Sequence, residues 1–313
     1  MIYYDDKSEL NYEIREEKAY ICDSSKRIMS VTVPGKIMDF PVAGITKKAF
    51  LGCKSLKEVS LPDTIESIGE WAFAFCNKLS TVTMPAHRIE IGKGVFDNDG
   101  ALERIYCISS NSCDESAEHD VRDVCHGREE HENSEHAARL MAAVPVVMDA
   151  QYLLDPAEAG SKEWFGKWDS KLKDILSRPD DEGYHLYVLC GEEDLHFDYD
   201  EYLEYVRRKK SALSMLRIMN DSFLREPFRQ RLIEYVRNHA KGCDSEAAWR
   251  YVLNDHPDDE DYFALLIECG CITPNNLEDI LADMGERHAQ IRSYLINTLQ
   301  IGSEDDFFAD LEL

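Results

Sequence analysis

The sequence lacks the features that would mark a membrane-spanning or secreted chain. No window approaches 18 apolar residues without a charge, which a transmembrane helix requires. The opening residues Met1-Ile2-Tyr3-Tyr4-Asp5-Asp6 contain neither the basic segment nor the apolar core of a signal peptide. We therefore expect a cytoplasmic protein without a membrane span. A secreted or surface protein whose leader was removed is the alternative.

Motifs that carry chemistry are also missing. There is no G-x-S-x-G and no H-E-x-x-H, and Gly92-Lys93-Gly94 lacks the P-loop spacing. No local signature places a nucleophile beside a base. The prediction is a non-enzymatic protein with no catalytic residue and no cofactor. An enzymatic or metal-binding helical region, with a pocket around His185 and His196, is kept as an alternative.

Basic residues are scarce: 35 Lys and Arg stand against 61 Asp and Glu, and the net charge is −26. The imbalance is uneven, because residues 18–107 hold 12 basic and 10 acidic side chains. The remainder is strongly acidic and repels phosphate backbones, so no nucleic-acid partner is expected. Such a field favours a basic protein partner, although a solubilising helical surface explains it more simply.

The ten cysteines are scattered and include no C-x2-C pair. Without a secretory signal they indicate reduced, buried thiols rather than disulfides. Thiol and imidazole groups gather in one stretch and make zinc an alternative there, but their spacing favours a polar segment without metal. The segment that contains Asp194, Asp198 and Asp200 near His196 lacks the glycine and the glutamate of a calcium loop. It therefore indicates a solvated helix start. The zinc candidates are Cys107, Cys113, His119, Cys125, His126, His131 and His136.

What the chain does contain is a repeat. Segments of the form L-x-x-V-x-L-P begin at Leu56 and Leu79, and a related segment begins at Leu102, each 23 residues after the last. Further positions keep the same step. A fixed period in this range is typical of a solenoid, whose coils must stack to cover their apolar faces. The further residues that recur at this step of 23 are Ile45, Ile68 and Ile91; Phe50, Phe73 and Phe96; Gly69 and Gly92; Cys53 and Cys76.

Each unit opens with a short strand of alternating character. Leu56, Val59 and Leu61 are expected to point inward, and Pro62 ends the strand because it has no N–H to donate. Cys53 and Cys76 are expected to be small buried residues that close a turn. Gly69 is expected to supply a backbone conformation that a Cβ would obstruct.

Over residues 28–107 these positions resemble the BspA-type leucine-rich repeat. The resemblance implies a parallel-stranded solenoid that binds other molecules, and such repeats are familiar from secreted and surface-attached adhesion proteins. An earlier copy begins at Ile28, 28 residues before Leu56, and its extra length predicts a bulged loop at residues 39–42. The third copy drifts, with Asp99 standing where Cys53 and Cys76 stood.

If the strands stack in register, their outward side chains form two rows that a partner could bind. Serine and threonine also suit a solvated parallel sheet, and that is the simpler interpretation. Trp71 and Phe75 could form an aromatic anchor, although such residues more often pack against an adjoining domain. The rows are Ser30, Glu58, Thr81 and Arg104, and Thr32, Ser60, Thr83 and Tyr106.

Outside the repeats, residues 10–22 predict a hairpin that caps the array. After a polar stretch the pattern becomes helical: Pro145 should split the first helix, and Trp164 to Leu176 form one apolar face. Further helices are expected at 199–219, 222–239 and 245–253, around 262–267, from Pro274, and at 287–299 and 303–312. Leu265 to Cys271 resembles the second helix and turn of an ankyrin repeat.

The sequence thus predicts an α+β protein: a leucine-rich solenoid followed by an all-α domain of antiparallel helix pairs. The predicted domains are residues 1–108, a polar linker at 109–133, and an acidic, repeat-like helical domain at 134–313. The predicted function is a bacterial-type, non-enzymatic protein-interaction module that uses the strand face, the acidic helical surface, or both.

Overall fold

The computed structural model describes residues 2–5, 8–108, 130–185 and 198–309, with the side chains of 130–134 and 300–309 left aside. The chain divides into two compact units. One unit is Met1–Lys171 with Asn220–Phe223, and the other is Leu172–Met219 with Leu224–Leu313. The predicted boundaries at 108 and 133 stay a prediction, because most of the predicted linker lies outside the described residues.

The first unit opens with an antiparallel sheet. The predicted hairpin is confirmed, and its two turn residues Glu16 and Glu17 have φ of 49° and 61°. Two successive left-handed residues give a turn whose twist matches that of the strands beside it. The last hairpin strand then pairs in parallel with the first coil, which covers the end of the array. The strands are β1 (Ile2–Asp5), β2 (Leu10–Arg15) and β3 (Lys18–Ser24).

The coils that follow form the predicted parallel-stranded solenoid, which consists of two sheets. The order in one sheet is β11-β9-β7-β4, and the other sheet runs β3-β6-β8-β10 after the hairpin. Between the sheets the rings of Phe50, Phe73 and Phe96 stack, with centroids 4.9 and 5.8 Å apart. The strands are β4 (Ser30–Thr32), β5 (Lys36–Ile37), β6 (Phe40–Ile45), β7 (Glu58–Ser60), β8 (Ser67–Ile68), β9 (Thr81–Pro85), β10 (Glu90–Ile91) and β11 (Arg104–Ile108).

Two details of the coils correct the sequence analysis. The predicted bulged loop at 39–42 is wrong, because β5 and β6 form a tight antiparallel hairpin that turns at Met38, with φ of 55°. Gly69 is required for space and not for an unusual φ: a Cβ there would lie 2.4 Å from the backbone nitrogen of Lys47 in the preceding coil. Neighbouring coils therefore approach too closely at this corner for any side chain.

After the repeats, the first described helix is α1 (Glu130–Ala143). As predicted, this helix ends before Pro145, and a single π-helical turn continues to Met148. The predicted apolar face of α2 (Lys162–Ser177) is buried through Trp164, Phe165, Trp168 and Leu172. The indole N–H groups of Trp164 and Trp168 donate to the carbonyls of Leu153 and Leu140 at 2.9 and 3.3 Å, so both rings are fixed in the core.

In the second unit the described residues form α-helices joined by turns and loops, and with α1 and α2 the described chain holds eight α-helices. The helix α3 packs against α4, α5 and α6, and α8 packs against α6 and α7. The predicted resemblance to ankyrin repeats stays a prediction. The helices are α3 (Tyr199–Met219), α4 (Glu226–Arg237), α5 (Ala247–Asp255), α6 (Glu260–Glu268), α7 (Leu277–Met284) and α8 (Ala289–Ala309).

The ends of these helices were predicted with mixed success. Gly270 ends α6 as predicted, with φ of 71° and its N–H bonded to Ile267. The predicted start of the next helix at Thr273-Pro274 is wrong, because Thr273 donates to Asn276 Oδ1 and α7 begins after Asn276. In place of the two helices predicted at 287–299 and 303–312, one helix runs over Ala289–Ala309, since a single interior glycine costs only about 1 kcal/mol. Residues 310–312 lie outside the described residues.

Candidate protein-binding face

The strand register aligns the two predicted rows of side chains. Ser30 pairs with Glu58, Glu58 with Thr81, and Thr81 with Arg104. The second row follows two residues later in each strand. These side chains point outward because the residue between them in every strand is buried in the core. The second row is Thr32, Ser60, Thr83 and Tyr106, and the buried residues are Val31, Val59, Val82 and Ile105.

The far end of this face is already engaged by a helix. Arg104 Nε donates to Glu135 Oε1 at 2.8 Å, and the Tyr106 hydroxyl donates to Glu135 Oε2 at 2.6 Å. Arg139, one turn along α1, also bonds this carboxylate at 3.2 Å. Burial raises the pKa of Glu135, but these hydrogen bonds and the two guanidinium charges outweigh it and hold the pKa below its usual range.

The open part of the face therefore spans three coils, over β4, β7 and β9. Glu58 carries its one charge, and the other five side chains are hydroxyls that can both donate and accept hydrogen bonds. Ser30, Thr32 and Glu58 are exposed, and the other three are partly so. We call this surface the hydroxyl face; its members are Ser30, Thr32, Glu58, Ser60, Thr81 and Thr83.

The turn that leads into these strands holds a column of buried polar groups. Cys53 and Cys76 are buried as predicted, and the carboxylate of Asp99 replaces a thiol in the last coil. Asp99 Oδ1 accepts the N–H of Cys76 at 2.7 Å, whereas Oδ2 has no hydrogen-bond partner among the residues that the structure describes. Burial raises the pKa of Asp99 to about 7. Hydrogen bonds from Cys76 and Ser24, together with the nearby Lys26 charge, hold the pKa of Cys53 below its usual range.

The candidates for metal binding do not assemble within the described residues. No group of three or more His, Cys, Asp and Glu side chains that could hold a metal ion occurs there. His136 lies 3.0 Å from the Ser222 hydroxyl, and Asp198 and Asp200 stand at the start of α3. Cys107 lies in β11 with a free thiol. The remaining candidates lie outside the described residues: Cys113, His119, Cys125, His126, Asp194, His196 and the side chain of His131.

The two aromatic residues proposed as an anchor have different surroundings. Trp71 lies between coils, with the Lys47 and Lys48 ammonium groups 4.7 and 5.2 Å from its ring centre. The Phe75 side chain is 49 % exposed. Both have positive φ, which strains a residue with a bulky side chain. Trp71 is thus part of the coil packing, and Phe75 presents its ring to solvent.

Comparison with known proteins identifies the family that the repeats match. Residues 18–117 match the BspA type leucine rich repeat region in six copies. The described part of this match, residues 18–108, is a leucine-rich repeat solenoid. That family supports a protein-interaction module. No curated protein matches the sequence. In the part of the chain that the structure describes, no helix is both long and apolar enough to cross a membrane.

Three solved structures are similar to the repeats. A leucine-rich repeat protein of T. pallidum is 30% identical with a TM-score of 0.30, covering 33% of this chain and 49% of that one. A leucine-rich cell surface protein of Faecalibacterium prausnitzii is 24% identical with a TM-score of 0.30, covering 34% and 30%. A leucine-rich repeat protein of Bacteroides capillosus is 26% identical with a TM-score of 0.31, covering 37% and 88%. The chain spans about half the length of the T. pallidum protein.

Proposed function

We propose that the chain is a non-enzymatic protein-interaction module whose repeat region binds a partner protein through the hydroxyl face. The observation that carries the proposal is the in-register alignment of outward hydroxyls over three coils. Parallel stacking fixes these groups about 4.8 Å apart, so a partner can meet several at once without ordering them first. Because Arg104 and Tyr106 bond Glu135, they border this surface and contribute less to it than the other six predicted residues.

The acidic helices widen the range of partners. Outside residues 18–107 the chain holds 23 basic and 51 acidic residues, a charge that attracts a basic partner and speeds its encounter. A partner with a basic surface and a polar contact segment would suit both parts of the chain. The expectation of no nucleic-acid partner rests on the same negative field.

The test is capture of a partner from lysate of the native cells, followed by a binding measurement with the purified pair. Thr81→Arg places a bulky charged side chain within the hydroxyl face, on its outer strand β9. Ala86→Arg adds the same charge at an exposed position beyond the end of β9. We expect Thr81→Arg to weaken binding about tenfold or more and Ala86→Arg to leave it unchanged. Equal binding by both variants would move the site away from this face.

A second measurement determines where in the cell the protein is located. One similar structure is described as a cell surface protein, so a surface adhesin is the alternative to our proposal of a cytoplasmic module. Labelling intact cells with a membrane-impermeant biotin reagent distinguishes the two. Labelling of the native protein would support the adhesin, and its protection until the cells are lysed would support the cytoplasmic module.

A further inference from the structure

A second surface of the repeats differs from the hydroxyl face in charge. In the three turns that lead into β4, β7 and β9, residues 24–29, 52–57 and 75–80 contain five cations and no acidic residue. We call this surface the cationic corner. It consists of Lys26, Arg27, Lys54, Lys57 and Lys78, all of which are exposed.

Three cations elsewhere in the array, Lys18, Lys47 and Arg104, have acidic partners, and the other four in the described array are spread along it instead of gathered in adjacent turns. Lys18 pairs with Glu66 and Lys47 with Glu70, both at 2.6 Å. At the cationic corner, within the described residues, Arg27, Lys54, Lys57 and Lys78 form no ion pair. Lys26 reaches Asp23 only at 3.9 Å, and its ammonium donates to the carbonyl of Leu51. The corner therefore concentrates positive charge that the array itself does not neutralise.

The main chain holds these turns in one column. The N–H of Lys57 donates to the Met29 carbonyl at 2.7 Å, and the N–H of Ser80 donates to the Lys57 carbonyl at 2.9 Å. Coils bonded in this way repeat at about 4.8 Å, so the charges of three coils lie close together. In the fourth coil Glu103 occupies the position of Lys57 and Ser80, and the cationic corner ends there.

Apolar side chains are exposed in the same turns. Phe75 is 49 % and Met29 is 58 % exposed. Phe75 has φ of 62°, and the equivalent positions of the adjacent coils hold Gly52 and Asn98, which tolerate that conformation better. Neither core packing nor the backbone explains an aromatic ring here. Exposed apolar groups beside unpaired charges are typical of a binding surface.

We propose that the cationic corner binds a short acidic segment of a partner protein that also carries an apolar side chain. Single lysine charges match single carboxylates, which recur about every 6.6 Å on one side of an extended peptide. A long polyanion is disfavoured, since its charge would extend beyond the corner into the field of a chain with net charge −26. This surface adjoins the hydroxyl face but consists of different residues, and neither proposal depends on the other.

The probe is a fluorescein-labelled peptide of alternating glutamate and serine with one central phenylalanine, measured by anisotropy on the full chain. The triple variant Lys54→Glu, Lys57→Glu, Lys78→Glu should weaken binding about tenfold or more, and Phe75→Ala about threefold. The control variant Lys36→Glu, Arg88→Glu, Lys93→Glu makes the same charge change at exposed positions elsewhere and should have less than a twofold effect. Circular dichroism checks that every variant is folded.

Three results would overturn the proposal: no binding of the peptide by wild type, equal loss in the control triple variant, or equal binding of a peptide with glutamine for glutamate. Binding of a heparin fragment without binding of the peptide would also overturn it, in favour of a polysaccharide. Thr81→Arg, the variant of the hydroxyl face, should retain the peptide, so the two proposals can fail separately.

Discussion

In the repeats, residues 23 positions apart have the same structural role and make the same contact, which the aromatic contact described in the helices does not repeat. Phe50, Phe73 and Phe96 stack ring on ring, while Phe263 in α6 meets Trp249 of another helix edge to face, with ring centres 6.3 Å apart. A repeated contact extends along an axis and leaves its outward side chains in rows. A unique contact closes a local core. Because the contacts of the solenoid repeat, its candidate binding surfaces can be specified residue by residue.

The sharpest test of this comparison removes one ring from each region. Phe73→Ala should lower the free energy of unfolding by about 3–5 kcal/mol, because the side chain is fully buried between two rings. Hydrogen exchange should then accelerate in the coils on both sides of the change. Phe263→Ala removes the same volume from a fully buried site and should accelerate exchange in the helices alone. Acceleration of the repeats by Phe263→Ala would contradict the comparison.

A smaller effect is expected from a single methyl group. Gly69→Ala should destabilise the repeats by about 2–3 kcal/mol, since its Cβ would overlap the backbone of the preceding coil. In α2 a Cβ at Gly166 would meet no atom within 4 Å, so Gly166→Ala should raise stability by about 0.5–1 kcal/mol. Urea unfolding measures both changes. A neutral Gly69→Ala would show that the coils can separate at this corner without cost.

Asp99 has a carboxyl group where the preceding coils have the thiols of Cys53 and Cys76, and this carboxyl should make stability depend on pH. Its pKa is about 7 in the folded chain and about 3.9 when unfolded, so stability falls as pH rises between these values. Asp99→Cys restores the thiol of the other coils, and its gain at pH 8 should be about 1–3 kcal/mol larger than its gain at pH 4. Thermal unfolding across this range measures the difference. A gain that is the same at every pH would contradict a buried, titrating carboxyl.

The sequence was most informative where its period constrained several positions at once. The step of 23 residues predicted stacked parallel coils, equivalent positions for the three phenylalanines and both rows of outward side chains. It did not predict the role of Gly69, because close backbone approach and unusual φ both select glycine. In the helices, position-by-position cap signals misplaced the start of α7 and divided α8, since a local signal there competes with packing that the sequence does not display.

Glu135 shows why the limits of the hydroxyl face could not be predicted. Nothing in the local pattern of α1 distinguishes this glutamate from its acidic neighbours in the chain. Its partners, Arg104 and Tyr106, lie 31 and 29 residues earlier, and they meet it only because α1 packs along β11. Contacts between a strand and a later helix depend on tertiary structure that no periodicity encodes. The predicted rows were therefore longer than the surface left open by the fold.

The contact of Glu135 gives the smallest expected effect and tests whether α1 is anchored by charge. Glu135→Gln should cost about 0.5–1 kcal/mol at pH 7, because the carboxylate is partly exposed and solvent screens its ion pairs. Since the pKa of Glu135 is lowered on folding, this contribution is present above the usual glutamate pKa and is lost as pH falls. The variant and wild type should thus converge in stability near pH 3. Glu234→Gln, an exposed glutamate of α4 without an ion pair in the described residues, is the matched control. A Glu135→Gln cost that persists unchanged at low pH would assign the anchoring of α1 to packing instead of charge.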